Sequence, residues 1–407
     1  MPQKLKLAVA QAHTLSDPAS TLFKLAEITR RAASAGVHLI LFPEAYLGGY
    51  PRTCSFGSAV GSRDPIGREQ YLHYFHDAID LGDTPVGAGN RWVEKQLPIG
   101  KDGKPRGDGT REQLEKISRD TGVFIVVGLV ERAAGSLYCS AVYICPREGM
   151  IGKRRKVMPT GSERIVWAQG SPSTLKAITT NIAGVKLTIG TAICWENYMP
   201  LLRQTLYAQN INLYLAPTAD ARDTWLPLLR TIGCEGRAFV LSSNQCVRKK
   251  HLPHWITGTS SDSSGGAARN GIERRVGQRR RSSIVTKTKE DHEISWPPPH
   301  GSLDEHDARQ TASVDEALGS AISSADDGTA KMPEQDTFVC RGGSSIVSPM
   351  GEVLAGPLWE AEEDFLAVEV DFEDCERGRL DFDAAGSYSR NDAFQLTVQG
   401  LDLDPPA

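Results

Sequence analysis

The sequence has few of the features that mark secreted, membrane-bound or nucleic-acid-binding chains. Its eight cysteines include no CxxC pair and no dense framework, which favours reduced thiols over a disulfide scaffold. No stretch reaches the roughly 18 apolar residues of a membrane span, and the opening residues alternate like a strand instead of forming a signal peptide. A formal net charge of −4 gives no overall attraction to nucleic acid or to an anionic membrane. We therefore expect a cytoplasmic globular protein that binds neither.

The sequence does contain an alternation of strand and helix patterns. Residues 4–12 predict a strand, and a helix is expected from about Pro18 with Ser16 as its cap. A hairpin pattern follows later in the chain. Further helices are predicted near 111–121, 200–210 and 223–235. This alternation is typical of an α/β protein with mixed sheets.

Residues 258–335 differ sharply in composition from the rest. They are poor in aliphatic and aromatic residues and rich in serine, glycine, arginine and acidic residues. Such a segment cannot bury enough surface to offset its ordering entropy, which predicts a largely disordered insertion. The arginines before Ser282 read as a solvated basic stretch, with recognition by a basophilic kinase as the alternative. One domain is therefore expected, its first part in 1–257 and its C-terminal part and tail in 336–407.

Three predicted strands end at groups with reactive side chains, namely Glu44, Lys156 and Cys194. A carboxylate can take the thiol proton, an ammonium can stabilise negative charge, and the sulfur can attack carbon. A thiol with a pKa of about 8.5 is only slightly ionised at neutral pH, so it needs such a base. Taken singly, each residue also fits a plain role as a turn carboxylate, a solvated lysine or a packed cysteine.

The motifs around these residues resemble the nitrilase branch of the carbon–nitrogen hydrolase superfamily. The resemblance runs along nearly all of 4–257 and 336–399, with the motifs in the family's order. It breaks at 171–173, where Ser-Pro-Ser replaces the Asp-Gly-Ser that family members commonly carry. The segments that carry it are FPEAYLGGYPR, GKRRKVMPTGSERIVWAQG, ICWENYMPLLR, APTADARDTW and DFDAAGSYSRND.

The resemblance implies a catalytic triad of Glu44, Lys156 and Cys194, with Glu163 as a second carboxylate. It implies an α-β-β-α sandwich that dimerises through its helical faces into an α-β-β-α-α-β-β-α body, as a homodimer or higher homo-oligomer. It implies no metal and no organic cofactor. The residues expected to contact substrate are Trp195, Tyr46 and Trp167.

The function that this resemblance implies is hydrolysis of an organic nitrile to a carboxylic acid and ammonia. The sequence leaves open whether the nitrile is aromatic, arylaliphatic or aliphatic. An amidase or a nitrile or cyanide hydratase with the same triad is the alternative within the superfamily. A non-catalytic scaffold that binds a partner through 258–335 is the alternative from another class, and retention of all four catalytic residue types argues against it.

Two other groups of residues invite a functional interpretation. His251 and His254 have the spacing of a metal-binding pair, but flanking prolines place them in a loop and no second pair follows. Glu131 ends a strand beside an arginine, which indicates a structural role.

Overall fold

The computed structural model forms two compact units, one made of Met1–Ser260 with Glu334–Ala407 and the other of Ser261–Pro333. The first unit contains both halves of the predicted domain. The residues that the structure describes are 3–82, 107–257, 284–287, 293–296 and 336–403.

Two mixed sheets form the centre of the first unit. The first sheet contains, in spatial order, β17 (Glu363–Asp371), β1 (Lys4–Ala12), β2 (Leu39–Leu41), β5 (Phe124–Ala133), β6 (Ser136–Cys145) and β7 (Gly149–Arg155). Its central strands β1, β2 and β5 are parallel, and the outer pairs are antiparallel.

The second sheet repeats this arrangement, with three parallel strands in its middle. Its order is β12 (Cys246–Arg248), β15 (Phe338–Val347), β11 (Phe239–Ser242), β10 (Leu213–Leu215), β9 (Val185–Thr191) and β8 (Ile178–Ile182), and β16 (Val353–Trp359) pairs with β15. Strands β9, β10 and β11 are parallel. A separate short hairpin joins β3 (Ser58–Ala59) to β4 (Ser62–Arg63).

Helices cover the outer face of each sheet. The described helices are α1 (Pro18–Ser34), α2 (Pro65–Asp77), α3 (Thr110–Thr121), α4 (Pro200–Tyr207), α5 (Trp225–Gly236), α6 (His254–Thr257) and α7 (Glu373–Gly378). Alternate residues of a strand point to opposite faces, so Leu7 and Val9 join the core between the sheets while Ala8 and Ala10 pack under α1 and α3. A third core lies between the second sheet and helices α4 and α5. These layers are the predicted α-β-β-α sandwich.

The helix ends differ slightly from those predicted. The cap of α1 is Asp17 and not Ser16, because the Asp17 carboxylate accepts the backbone N–H of Ser20 at 2.8 Å. Helix α3 ends as predicted at Gly122, whose φ of +74° a side chain would disfavour. The segment where the family resemblance breaks forms a short 3₁₀ turn, Pro172–Leu175, capped by Ser171.

In the second unit, β13 (Ile284–Lys287) pairs antiparallel with β14 (Glu293–Trp296). Local strand pairing therefore occurs within the segment predicted to be disordered, and the rest of that prediction, with Ser282, lies outside the described residues. No described helix has the length and apolar character needed to cross a membrane. Each of the eight cysteines carries a free thiol, as the spacing predicts.

Candidate active site

The three reactive strand ends predicted from the sequence converge on one buried lysine. Glu44 follows β2, Lys156 directly follows β7, and Cys194 follows β9. The Lys156 ammonium donates to Glu44 Oε1 at 2.7 Å and to Glu163 Oε2 at 2.6 Å. Lys156 and Glu44 are fully buried, and Glu163 is nearly so. The structure thus brings together all four residues of the predicted catalytic group.

The two oxygens of Glu44 have different surroundings. Oε1 accepts from Lys156 and, at 3.5 Å, from the Cys139 thiol. Oε2 is buried and has no close hydrogen-bond partner in the part of the chain that the structure describes. Burial raises the pKa of Glu44 to about 6, although the Lys156 charge and the neighbouring Cys194 thiol act in the opposite direction. A carboxyl group with this pKa can both accept and return a proton near neutral pH.

Cys194 occupies a strained turn at the end of β9. Its φ of +52° lies in the left-handed region, which a residue with a side chain seldom adopts. The Cys194 N–H donates to the Pro217 carbonyl at 2.9 Å, and the Thr218 hydroxyl donates to Sγ at 3.2 Å. Burial and the Glu44 charge raise the pKa of the thiol, and Lys156 only partly opposes them. Cys194 therefore rests as a thiol and requires a base.

Lys156 is held in its charged form. Burial alone would lower the pKa of its ammonium, but the charges of Glu44 and Glu163 raise it well above the ordinary value. Glu163 is fixed in turn, because its carboxylate accepts from the Tyr50 hydroxyl at 2.8 Å and from the Thr160 N–H at 2.6 Å. This network holds the charged Lys156 ammonium close enough to act on Cys194.

Glu196 holds the two loops that carry Cys194 and Lys156. One of its oxygens accepts the Ile193 N–H at 2.8 Å, and the other accepts the Val157 N–H at 2.6 Å. The buried Arg154 side chain pairs with the same carboxylate. Each bond anchors a residue adjacent to a reactive group, so Glu196 sets the spacing between the two loops.

The three residues expected to contact substrate have different positions. Trp167 is buried in the same apolar cluster as Cys194, and its ring centroid lies 5.6 Å from Lys156 Nζ. Trp195 is 36% exposed and donates through Nε1 to Asp220 at 2.6 Å, with the Arg222 guanidinium 4.4 Å from its ring centroid.

Tyr46 is not brought to this group. Its side chain is fully buried in the core under α1 and stacks on Phe42, with ring centroids 5.4 Å apart. A ring enclosed in that core faces the helix layer, whereas Ala45 belongs to the Cys194 cluster. The substrate contact predicted for Tyr46 is therefore replaced by a packing role.

Glu131 has the structural role predicted for it. It is fully buried and accepts from Arg155 at 2.6 Å and from Lys153 at 2.6 Å. Although burial acts to raise it, the pKa of Glu131 falls to about 2 because of these two cations. This cluster of ion pairs joins β5 to β7, the strand that directly precedes Lys156.

Sequence reasoning did not single out Tyr50, Cys139, Glu196 or Thr218 as part of this site. Tyr50, Glu196 and Thr218 lie within the family motifs, but a motif gives no direction for a side chain. Tyr50 and Glu163 are 113 positions apart in the chain, so only the fold shows their contact.

The chain is similar to known proteins along nearly its whole length. The chain is 36% identical to a nitrilase of Bradyrhizobium diazoefficiens, over 98% of this chain and 92% of that protein. It is 33% identical to an arylacetonitrilase of Trametes versicolor, over 100% of this chain and 99% of that protein. Among solved structures, an amidase from Nesterenkonia sp. has the same fold, with a TM-score of 0.50 and 17% identity over 93% of this chain and 95% of that one. A sequence model of the carbon–nitrogen hydrolase family matches residues 6–379, and the chain therefore belongs to the carbon–nitrogen hydrolase family.

Proposed function

We propose that this protein is a nitrilase that converts an organic nitrile and two molecules of water to a carboxylic acid and ammonia. The observation that carries the proposal is the buried group in which Lys156 joins Glu44 and Glu163 beside the Cys194 thiol. Relatives named as nitrilases, matched along nearly their whole length, support this choice.

The first half of the reaction forms a bond between sulfur and the nitrile carbon. Glu44 Oε2, which has no other close partner among the described residues, takes the proton from Cys194. The sulfur adds to the nitrile carbon while the proton passes to the nitrile nitrogen, which yields a thioimidate. Lys156 stabilises the negative charge that develops on nitrogen, and the backbone N–H of Trp195 is a second donor.

The second half releases ammonia and then the acid. Glu44 takes a proton from a water molecule as its oxygen adds to the thioimidate carbon, which gives a tetrahedral species. Protonation of the amino group allows the C–N bond to break, so ammonia leaves and a thioester remains. A second water, activated in the same way, breaks the C–S bond and restores the Cys194 thiol. Glu163 positions Lys156 throughout through its 2.6 Å hydrogen bond.

The alternatives follow from the same tetrahedral species. If the C–S bond breaks before the C–N bond, the product is an amide, and the protein acts as a nitrile hydratase. An amidase would enter the same cycle from an amide. A scaffold without catalysis would not need a strained thiol beside a base with a pKa of about 6, which favours an enzyme.

The test is a panel of aromatic, arylaliphatic and aliphatic nitriles with ammonia, acid and amide measured separately. We expect ammonia and acid from at least one class, and no turnover by Cys194→Ala. Cys246→Ala, which removes another buried thiol, is the matched control and should remain active. Mass spectrometry of intact protein with a slow nitrile should find the adduct on Cys194. An active Cys194→Ala variant, or an adduct on Cys246, would overturn the proposal.

We propose further that Trp195 and Trp167 border the substrate and that the protein works in the cytoplasm as a homodimer or higher homo-oligomer. Free thiols suit a reducing compartment. Leu201 on α4 and Leu380 after α7 are 70% and 91% exposed, and such exposed apolar side chains support association with a second copy. Light scattering coupled to size exclusion tests the assembly, and a monomer at micromolar concentration would contradict it.

A further inference from the structure

A second group of chemically reactive side chains lies outside the site described above. It consists of His13 just after β1, His251 between β12 and α6, and Glu362 just before β17. Each residue offers one ligand atom, and these atoms all lie within 4.8 Å of one another. Neither Glu44, Lys156 nor Cys194 belongs to this group.

Each residue of this group has one buried polar atom without a hydrogen bond among the described residues. Within the described part of the chain, His13 Nδ1, His251 Nδ1 and Glu362 Oε1 are all buried without a hydrogen-bond partner. His251 Nδ1 and Glu362 Oε1 are 3.0 Å apart, yet their orientation is not that of a hydrogen bond. Three neighbouring side chains that each leave a buried lone pair unpaired are costly unless something binds them.

The surroundings favour a cation over extra protons. The two imidazole rings are stacked, with centroids 4.3 Å apart and planes 4° apart, so charging both would bring like charges together. The His13 side chain is buried, so its ring is held in place beside that of His251. Arg248 donates to the other oxygen of Glu362 at 2.9 Å and orients the carboxylate.

We propose that His13, His251 and Glu362 form a binding site for a divalent transition metal, with Zn²⁺ as its best occupant. Two imidazoles and one carboxylate are a zinc ligand set that leaves a fourth position for water. Of the three ligands, His251 also lines a cavity of about 40 Å³, which is large enough for a water molecule. Tetrahedral zinc spaces its ligand atoms about 3.4 Å apart, so the longest edge of the group must shorten. The partly exposed side chains of His251 and Glu362 allow that movement.

The bound metal would join three separate segments of the first unit. His13 follows the first strand, His251 lies in the turn after β12, and Glu362 lies in the connection between β16 and β17. The pair suggested by sequence spacing is thereby replaced: His251 is joined by His13 and Glu362, while His254 lies outside the group. That difference supplies a matched control, because His254 is an exposed histidine three positions from His251.

The experiment is zinc binding to the full-length, chelator-treated protein, with stoichiometry from elemental analysis and affinity from calorimetry. We expect one Zn²⁺ per chain and a higher thermal midpoint with zinc. His251→Ala and Glu362→Gln should weaken binding at least about tenfold and abolish the thermal shift, whereas His254→Ala should change neither. Cobalt substitution should give visible ligand-field bands without the thiolate charge-transfer band that a cysteine site would show.

Several outcomes would overturn the site. One is zinc binding that His251→Ala leaves unchanged, and another is an equal loss of zinc affinity in His254→Ala. A thiolate band with cobalt, or no zinc bound at micromolar concentration, would also contradict the site. Because His251 is partly exposed in a turn, its alanine variant should fold even if His13→Ala does not. Circular dichroism of each metal-free variant checks this point.

Discussion

At the scale of single residues, the site is governed by the unequal surroundings of the two Glu44 oxygens. Lys156 and Cys139 occupy one oxygen, and the other stays buried and unpaired within the described structure. Burial costs the charged carboxylate its hydration, and the adjacent ammonium restores part of that stabilisation. The balance yields a base near neutrality beside a thiol that would otherwise remain protonated.

We predict that activity falls on the acid side as Glu44 becomes protonated. The protonated carboxyl cannot accept the thiol proton, so kcat/KM should decline about tenfold per pH unit below a pKa of about 6. A rate profile from pH 4.5 to 8, limited to conditions where circular dichroism shows a folded protein, measures this. A flat profile down to pH 5 would exclude Glu44 as the base.

We predict that Lys156→Met lowers kcat by about a hundred- to a thousandfold, since one electrostatic donor to a developing anion is lost. The same change removes the cation that lowers the pKa of Glu44, so the acid limb of the residual activity should move to higher pH. Single-turnover kinetics at several pH values gives both results. Activity within tenfold of wild type, or an unmoved acid limb, would contradict the role proposed for Lys156.

At the scale of secondary-structure elements, strand β5 fixes the position of the turn that carries Glu44. Gly128 in this strand lies so close to the turn after β2 that an added Cβ would stand 2.2 Å from the Pro43 carbonyl oxygen and 2.7 Å from the Glu44 Cα. Both are backbone atoms, so the contact can be relieved only by moving the turn. The glycine is therefore required by the close approach of two backbones.

We predict that Gly128→Ala reduces kcat by about a hundredfold, because displacement of a reacting group by around 1 Å has that effect. Gly135→Ala is the control, since a Cβ at Gly135 meets no atom of the described residues within 4 Å. Kinetics and thermal unfolding of both variants separate a shifted turn from a general loss of stability. Equal activity of the two variants would show that β5 does not position Glu44.

The ion cluster between β5 and β7 leads to a prediction about stability. Glu131→Gln leaves Lys153 and Arg155 buried without their carboxylate, which should cost roughly 3–5 kcal/mol of unfolding free energy. Glu369→Gln is the control, because its pair with Lys4 is exposed and should contribute at most about 1 kcal/mol. Urea unfolding measures both free energies.

The pH dependence of that difference has a defined sign. The pKa of Glu131 is about 2 in the folded protein and about 4.3 when unfolded. Its contribution is therefore fully present above pH 4.3 and is lost as the pH falls toward 2. The difference in unfolding free energy between wild type and Glu131→Gln should decrease over this pH range. A constant difference would contradict the ionised pairing.

At the scale of the whole molecule, local pattern predicts the alternation of strands and helices and the reactive strand ends, whereas the layered sandwich is predicted from the family resemblance. Strand alternation and the glycine that ends α3 act over a few residues, although the cap of α1 lies one residue beyond the predicted one. The substrate contact expected of Tyr46 fails where the strand alternation ends. Ala45 has a φ of +48°, and after this turn the alternation no longer predicts which face of the sheet the next side chain takes.

Contacts between distant parts of the chain could not be predicted in the same way. The bond between Tyr50 and Glu163, the anchoring of two loops by Glu196, and the meeting of His13 with Glu362 depend on how the two sheets pack. No short-range pattern encodes such a meeting. Motif recognition supplied the catalytic group, but only the fold supplies the residues that hold it.

The segment 258–335 interrupts a unit whose flanks are already joined. Strands β12 and β15 pair antiparallel on its two sides, with Arg248 opposite Phe338. The Lys249 N–H donates to the Thr337 carbonyl at 2.9 Å, and Lys250 pairs with Asp336 at 2.7 Å. The chain thus returns from this segment directly into the β12–β15 ladder, and residues 249–257 connect that ladder to the start of the segment.

We predict that replacing 258–335 with a short Gly/Ser linker preserves the fold and the activity. All four residues of the catalytic group lie in the first compact unit, and a shorter connection has a smaller closure entropy, so the thermal midpoint should not fall. The measurements are kcat/KM with the best nitrile of the panel and a thermal scan of both proteins. In the control, the same linker replaces 249–257 and the segment 258–335 is retained. This variant lacks the turn with His251 and should be less stable. If the 258–335 replacement is itself inactive or unfolded, the segment is part of the working domain and the one-domain interpretation with an insertion is wrong.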